Sequence, residues 1–187
     1  MGTPSTTSPY TEPWLRGTHT DVPAAGRAVL HALELSLDDL SKWTAGLTDS
    51  EVHSQPLGLT SIAFHLRHIA RSVDRILTYA EGGQLSAAQL AALKTEQDGT
   101  GQDAAEQGGE GKQEYLAELL AEVEISFSDA ADRIRVLATA DLNTPRFVGR
   151  KQLPTSIGGA MIHVADHTLR HTGQVVTTAK VIKSLRT

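Results

Sequence analysis

The stretch from Leu116 to Leu137, LAELLAEVEISFSDAADRIRVL, decides the fold class. Its apolar residues Leu116, Leu120, Val123, Phe127, Ala130, Ile134 and Leu137 recur at intervals of 4, 3, 4, 3, 4 and 3. An α-helix turns once in about 3.6 residues, so this alternation gathers those side chains on one stripe and turns the acids and arginines outward. A strand would need a period of two, which is absent. A helix with so long a stripe must bury it against other helices.

Three further stretches carry the same signal. A first helix is expected from about Asp21, a capping residue, with Pro23 in its first turn and Leu30, Leu33, Leu37, Leu40 and Leu47 on one side. Gly46 lies near its end. In a second helix, capped by Thr60 or Ser61, Ile62, Leu66, Ile69, Val73 and Ile76 repeat at 4, 3, 4 and 3 until Gly82-Gly83 stops it. Residues 116–137 form the third, starting from about Gln113. A fourth starts near Ser156 and runs through Ile157, Met161, Val164, Val175 and Ile182 to the C-terminus.

The intervening residues 48–58 and 139–155, with their prolines and glycines, read as loops. Ser86 and Gln89 have capping-box spacing ahead of a short Ala/Leu helix reaching about Glu96. From Asp98 to Gly111 the chain is Gly, Gln, Glu and Asp with almost nothing to bury, which reads as a flexible linker. The expectation is an all-α four-helix bundle with one long connection between its second and third helices. A single long crossover is what an up-down-down-up course requires. Residues 1–20 read as an extended arm that Trp14 and Leu15 pin to the bundle; residues 21–187 form the bundle domain, with 84–113 as an insertion.

Composition agrees. Of 187 residues, 40% are hydrophobic, and Ala and Leu lead that set, which favours helix over strand. The net charge is −5 and no basic tract exists, so nothing marks a nucleic-acid or anionic-membrane surface. No apolar run approaches the roughly 20 residues that span a bilayer. Met1 to Pro13 lacks the basic start and apolar core of a signal peptide. Cysteine is absent, which excludes disulfides and thiolate metal ligands and makes the cytoplasm the default location.

Eight histidines are present, and five fall in two clusters: His65 and His68 on the second predicted helix, and His163, His167 and His171 on the fourth. Neutral imidazole is a common ligand of divalent metals. His167 and His171, four residues apart, lie on one helical face and can address one ion. His163 and His171 are two turns apart, about 12 Å, and cannot share it. If the second and fourth helices are antiparallel neighbours, His68 meets His167 and His171 at one level, about 20 Å from the helix ends. The helical wheel places His65 nearer the apolar seam than His68, so pattern alone leaves the third ligand open. Unremarkable roles compete throughout: chance pairs of surface histidines are common, Asp166 lies off the His167/His171 face, and Gln174 suits an inter-helix hydrogen bond. Tyr79 and Arg75 are candidates for a pocket mouth.

Two motifs add a resemblance. Ser61-Ile-Ala-Phe-His-Leu-Arg-His68-Ile-Ala-Arg-Ser and His163-Val-Ala-Asp-His167-Thr-Leu-Arg-His171-Thr-Gly-Gln174 resemble the paired histidine segments of DinB/YfiT-like proteins. The likeness covers roughly residues 20–185. It departs from the family at Thr172, where Arg is common, and in the Gly/Gln-rich insertion. The resemblance implies an up-down-down-up bundle with one divalent ion on His68, His167 and His171. His65 and His163 then read as hydrogen-bonding neighbours or proton shuttles, or as partly exposed helix residues with no role. Zinc and nickel lead as the metal, with iron next.

Three histidines leave a coordination position open, as catalytic rather than structural sites do. A substrate thiol there is held as thiolate, the better nucleophile. The family resembled here includes enzymes that attach low-molecular-weight thiols such as bacillithiol to electrophiles, and mycothiol-dependent isomerases. The expectation is a metal-dependent thiol S-transferase acting on a small-molecule thiol, in a homodimer. The alternatives are a metal-dependent hydrolase and a non-catalytic metal-binding helical dimer of the stress response. No general base is evident.

Overall fold

A computed structural model describes residues 10–98 and 115–186. The described chain is mostly helical. In order, its helices are α1 (Ala24–Thr44), α2 (Asp49–His53), α3 (Ile62–Ala80), α4 (Ala87–Asp98), α5 (Leu116–Leu137) and α6 (Ile157–Leu185). The long ones stand where the apolar repeats stand, and local chemistry sets their ends. Ser61 accepts a hydrogen bond from Phe64 N at the start of α3, and Ser156 does the same for Gly159 N at the start of α6. Gly82, at φ +86, ends α3 by donating to Tyr79 O. That left-handed turn is open to glycine at little cost. Leu116 N, an orphan donor at the head of α5, finds Asp49 Oδ1 at 2.8 Å.

The four long helices share one core. α1 packs on α5 and α6, and α3 packs on the same two. Val29, Leu33 and Leu40 from α1, Leu66, Ile69 and Val73 from α3, Val123 and Ile134 from α5, and Val164 and Val175 from α6 are all buried within it. Gly26 permits the close approach of α1 to the end of α5: a Cβ there would collide with the Cβ of Ala138. Polar contacts fix the pairings. Ser126 Oγ donates to Ala70 O at 2.8 Å, Arg133 reaches Asp74 at 2.8 Å, and Lys183 Nζ donates to Trp43 O at 2.8 Å.

Several expectations need correction. The chain is not wholly α: within residues 139–155, read as loop, and on into Ser156, lies an antiparallel hairpin of β1 (Pro145–Val148) and β2 (Leu153–Ser156), with Phe147 opposite Pro154. Both strands are edges, so prolines are tolerated there. Residues 48–58 contain α2, which is closed by a reciprocal capping box between Thr48 and Glu51. Helix α1 begins at Ala24, three residues later than Asp21, because Pro23 occupies the cap position. The Ser86–Gln89 cap is present, with Gln89 N donating to Ser86 Oγ at 3.2 Å. Nearly all of the expected 98–111 linker, and the expected start near Gln113, lie outside the described residues.

Trp14 and Leu15 stay largely exposed, at 61% and 57%, although the turn that holds them, Pro13–Leu15, packs on α1. Pro13 and Val22 are buried instead. Polar contacts hold the rest: Tyr10 OH donates to Asp38 Oδ2 at 3.1 Å, and Arg16 pairs with the same carboxylate.

Candidate metal centre

Helices α3 and α6 bring the two histidine clusters together. His68, His167 and His171 each offer a ring nitrogen, and these atoms all lie within 4.8 Å of one another. Nε2 of His68 is 2.9 Å from Nε2 of His167. The ring centres of His68 and His171 are 4.4 Å apart, and those of His167 and His171 4.5 Å. The one-turn spacing on α6 therefore does what an i, i+4 pair allows. His65, on the same side of α3, is only 4% exposed and places Nδ1 at 3.0 Å from His171 Nδ1.

Electrostatics prepares these rings to donate lone pairs. Burial, and after it the neighbouring His68, lowers His65 and His167 to about 4 and His171 to about 3. Near pH 7 they are neutral, the form that ligates metals. The donor set fits a divalent ion: neutral nitrogen ligands from two rigid helices, with His167 Nδ1 buried and without a protein partner. His68 would present Nε2, and His171, whose Nδ1 faces His65, would also present Nε2.

Residues that spacing did not single out complete the surroundings. Glu96, on α4, puts Oε2 at 3.0 Å from His68 Nδ1. The same carboxylate receives two bonds from Arg75, at 2.8 and 2.9 Å. Arg75 is therefore a buried partner of Glu96 and not the rim of a pocket. Its position, two helical turns after His68 on the same face, was the available signal: an arginine at that depth needs a carboxylate. Phe64 stacks on His68, rings 8° from parallel.

Other candidates fall away from the centre. His163 is exposed and pairs with Asp166 at 2.9 Å, although its ring centre is 5.3 Å from that of His167. Tyr79 is half-buried. Gln174 is exposed and so does not bridge helices. Thr172 is buried in the helix packing.

His19, His31 and Glu34 form a second group of suitable atoms. Arg135 Nη2 lies 2.9 Å from His19 Nδ1, and Arg has no lone pair to offer, so Nδ1 accepts. A neutral His19 then carries its proton on Nε2 and donates it to Glu34 Oε1 at 2.7 Å. That polarity suits a clasp holding the arm to α1 and opposes a cation between the two groups.

Residues 32–175, more than half of the chain, match the DinB superfamily. No curated protein matches the chain.

Proposed function

Since the chain belongs to the DinB superfamily, we propose that it is a metal-dependent enzyme of the thiol S-transferase type, with one divalent ion on His68, His167 and His171. The observation that carries this reading is the convergence of three ring nitrogens within 4.8 Å, in a cluster where burial keeps His167 and His171 neutral. His68, His167 and His171 would hold the ion, and its Lewis acidity would favour the deprotonated, reactive form of a thiol or a water near neutral pH. Zinc or nickel is the proposed ion, since neutral imidazole ligates both.

The chain's own groups do the positioning. With Nε2 turned to the ion, His171 would carry its proton on Nδ1 and donate it to His65 Nδ1, 3.0 Å away, which would fix the orientation of His171 from behind. Phe64 covers one face of His68. The same reading takes the long helices as an up-down-down-up four-helix bundle. In its support, Ala70 meets Ser126 and Asp74 meets Arg133, so numbering rises together along α3 and α5. His65 meets His171 and His68 meets His167, so it runs oppositely along α3 and α6.

Among the described residues no helix is long and apolar enough to cross a membrane. A small thiol and its electrophile are the proposed substrates. The test is conjugation of a low-molecular-weight thiol to an electrophile by metal-loaded and metal-stripped protein. Turnover that needs the metal and vanishes in His171→Ala supports the transferase. Metal-dependent ester or amide hydrolysis without thiol consumption would favour the hydrolase instead. Stoichiometric metal with neither activity would favour a binding module.

A further inference from the structure

We propose that Glu96 is a positioning residue of the metal centre, locking His68 into the tautomer and ring orientation that direct Nε2 at the ion, and that α4 is thereby part of the site. This rests on the metal reading above. Glu96 reaches His68 from a different helix, 28 residues along the chain, with Oε2 at 3.0 Å from Nδ1. A carboxylate only accepts, so the Nδ1 it faces must carry the proton, and a neutral His68 is left with its lone pair on Nε2. Nε2 is the atom that lies 2.9 Å from His167 Nε2.

The carboxylate is itself held in place. Arg75 grips both its oxygens in a fork at 2.8 and 2.9 Å, and the two side chains are each only 8% exposed. A bidentate pair of this kind fixes direction as well as charge. Arg75 thus lets a negative charge persist beside the ligands at a depth where an unpaired one would be neutralised. The resulting chain is guanidinium, carboxylate, imidazole, ion. Carboxylates behind ligating histidines raise ligand basicity, and removing them typically weakens metal binding by ~10–100-fold.

Glu96→Gln tests this with little change of shape. The amide oxygen can still accept from His68 and Arg75, but the charge is gone and an NH2 group replaces the second acceptor. Zinc affinity would be measured by competition with a chromophoric chelator, and cobalt-loaded protein would report ligand geometry through its visible spectrum. The expected result is zinc binding weakened by ~10–100-fold, a changed cobalt spectrum, an unchanged far-ultraviolet circular dichroism spectrum, and more affinity kept in Glu96→Asp than in Glu96→Gln. Wild-type affinity and spectrum in a folded Glu96→Gln would overturn the role of Glu96 while leaving the metal site standing. Failure of the wild type to bind zinc or cobalt would overturn both. Should Glu96→Gln not fold, nitrogen-15 NMR of the zinc-loaded wild type decides. A His68 ring protonated at Nδ1 and metallated at Nε2 is expected, and the opposite tautomer would refute the proposal.

Discussion

Nε2 of His68 lies 2.9 Å from Nε2 of His167, a contact between rings 99 residues apart in the chain. Two imidazole nitrogens so close either share one proton or face one cation. With Glu96 on the Nδ1 side of His68, a neutral His68 turns a lone pair toward His167. The centre is therefore arranged to gain from a cation, and its neighbours differ sharply in what they contribute.

His65 and His163 separate on this point. His65→Ala removes the group behind His171 Nδ1 and is expected to weaken zinc binding by ~10-fold or more without abolishing it. His163→Ala should bind as the wild type does, because that ring is exposed and paired with Asp166. Chelator competition on both variants checks this; equal losses would contradict the different placements of the two rings.

The metal-free protein should lose stability as the solution is acidified. Burial, then the neighbouring His68, lowers His65 and His167 to about 4 and His171 to about 3. In the unfolded chain an imidazole titrates at about 6.5. Between those values the unfolded state binds more protons, so stability rises with pH there. The contribution is complete above about 6.5 and is lost progressively as pH falls toward the folded-state values. Thermal unfolding of metal-free protein at pH 7.5, 6 and 5 should show a steady drop in Tm, shallower in His171→Gln. A flat profile in the wild type would speak against neutral buried rings.

Ligand linkage gives a third expectation. An ion that binds only the folded chain adds about 2.7 kcal/mol when free metal stands at 100 times Kd. Differential scanning calorimetry should show Tm rising with zinc in the wild type and staying put in His68→Ala. A rise of equal size in both would place the binding elsewhere.

Gly26→Ala offers a test of the packing. Helix propensity alone would favour Ala by about 1 kcal/mol. The collision with Ala138 Cβ reverses the sign, and overpacking of this kind costs about 1–3 kcal/mol. Urea unfolding should show net destabilisation that Ala138→Gly partly relieves. A stabilised Gly26→Ala would mean that α1 and α5 sit farther apart.

The long helices were legible because each buries one continuous stripe. In α5, Val123, Phe127, Ala130, Ile134 and Leu137 are all buried, as their spacing requires. Short elements were not. Helix α2 is one turn and a half with only Val52 buried, and its sole mark was the Thr48–Glu51 spacing. The hairpin has strands of four residues each, too short for alternation to register, and prolines in both.

At the centre, the pairing of His167 with His171 follows from helical spacing. The wheel favoured His65 over His68 without settling the third ligand, for a physical reason: both face α6, one opposite His171 and the other opposite His167. Glu96 was invisible because its role depends on where α4 docks on α3. No periodicity within a helix records such a contact.

The most direct test is elemental analysis of the purified wild type beside His68→Ala, His171→Ala and His65→Ala. The account predicts close to one divalent ion per chain in the wild type, loss of that ion in the His68 and His171 variants, and its retention at reduced affinity in His65→Ala. A wild type that carries no metal and takes up none on titration with zinc, nickel or iron would contradict it.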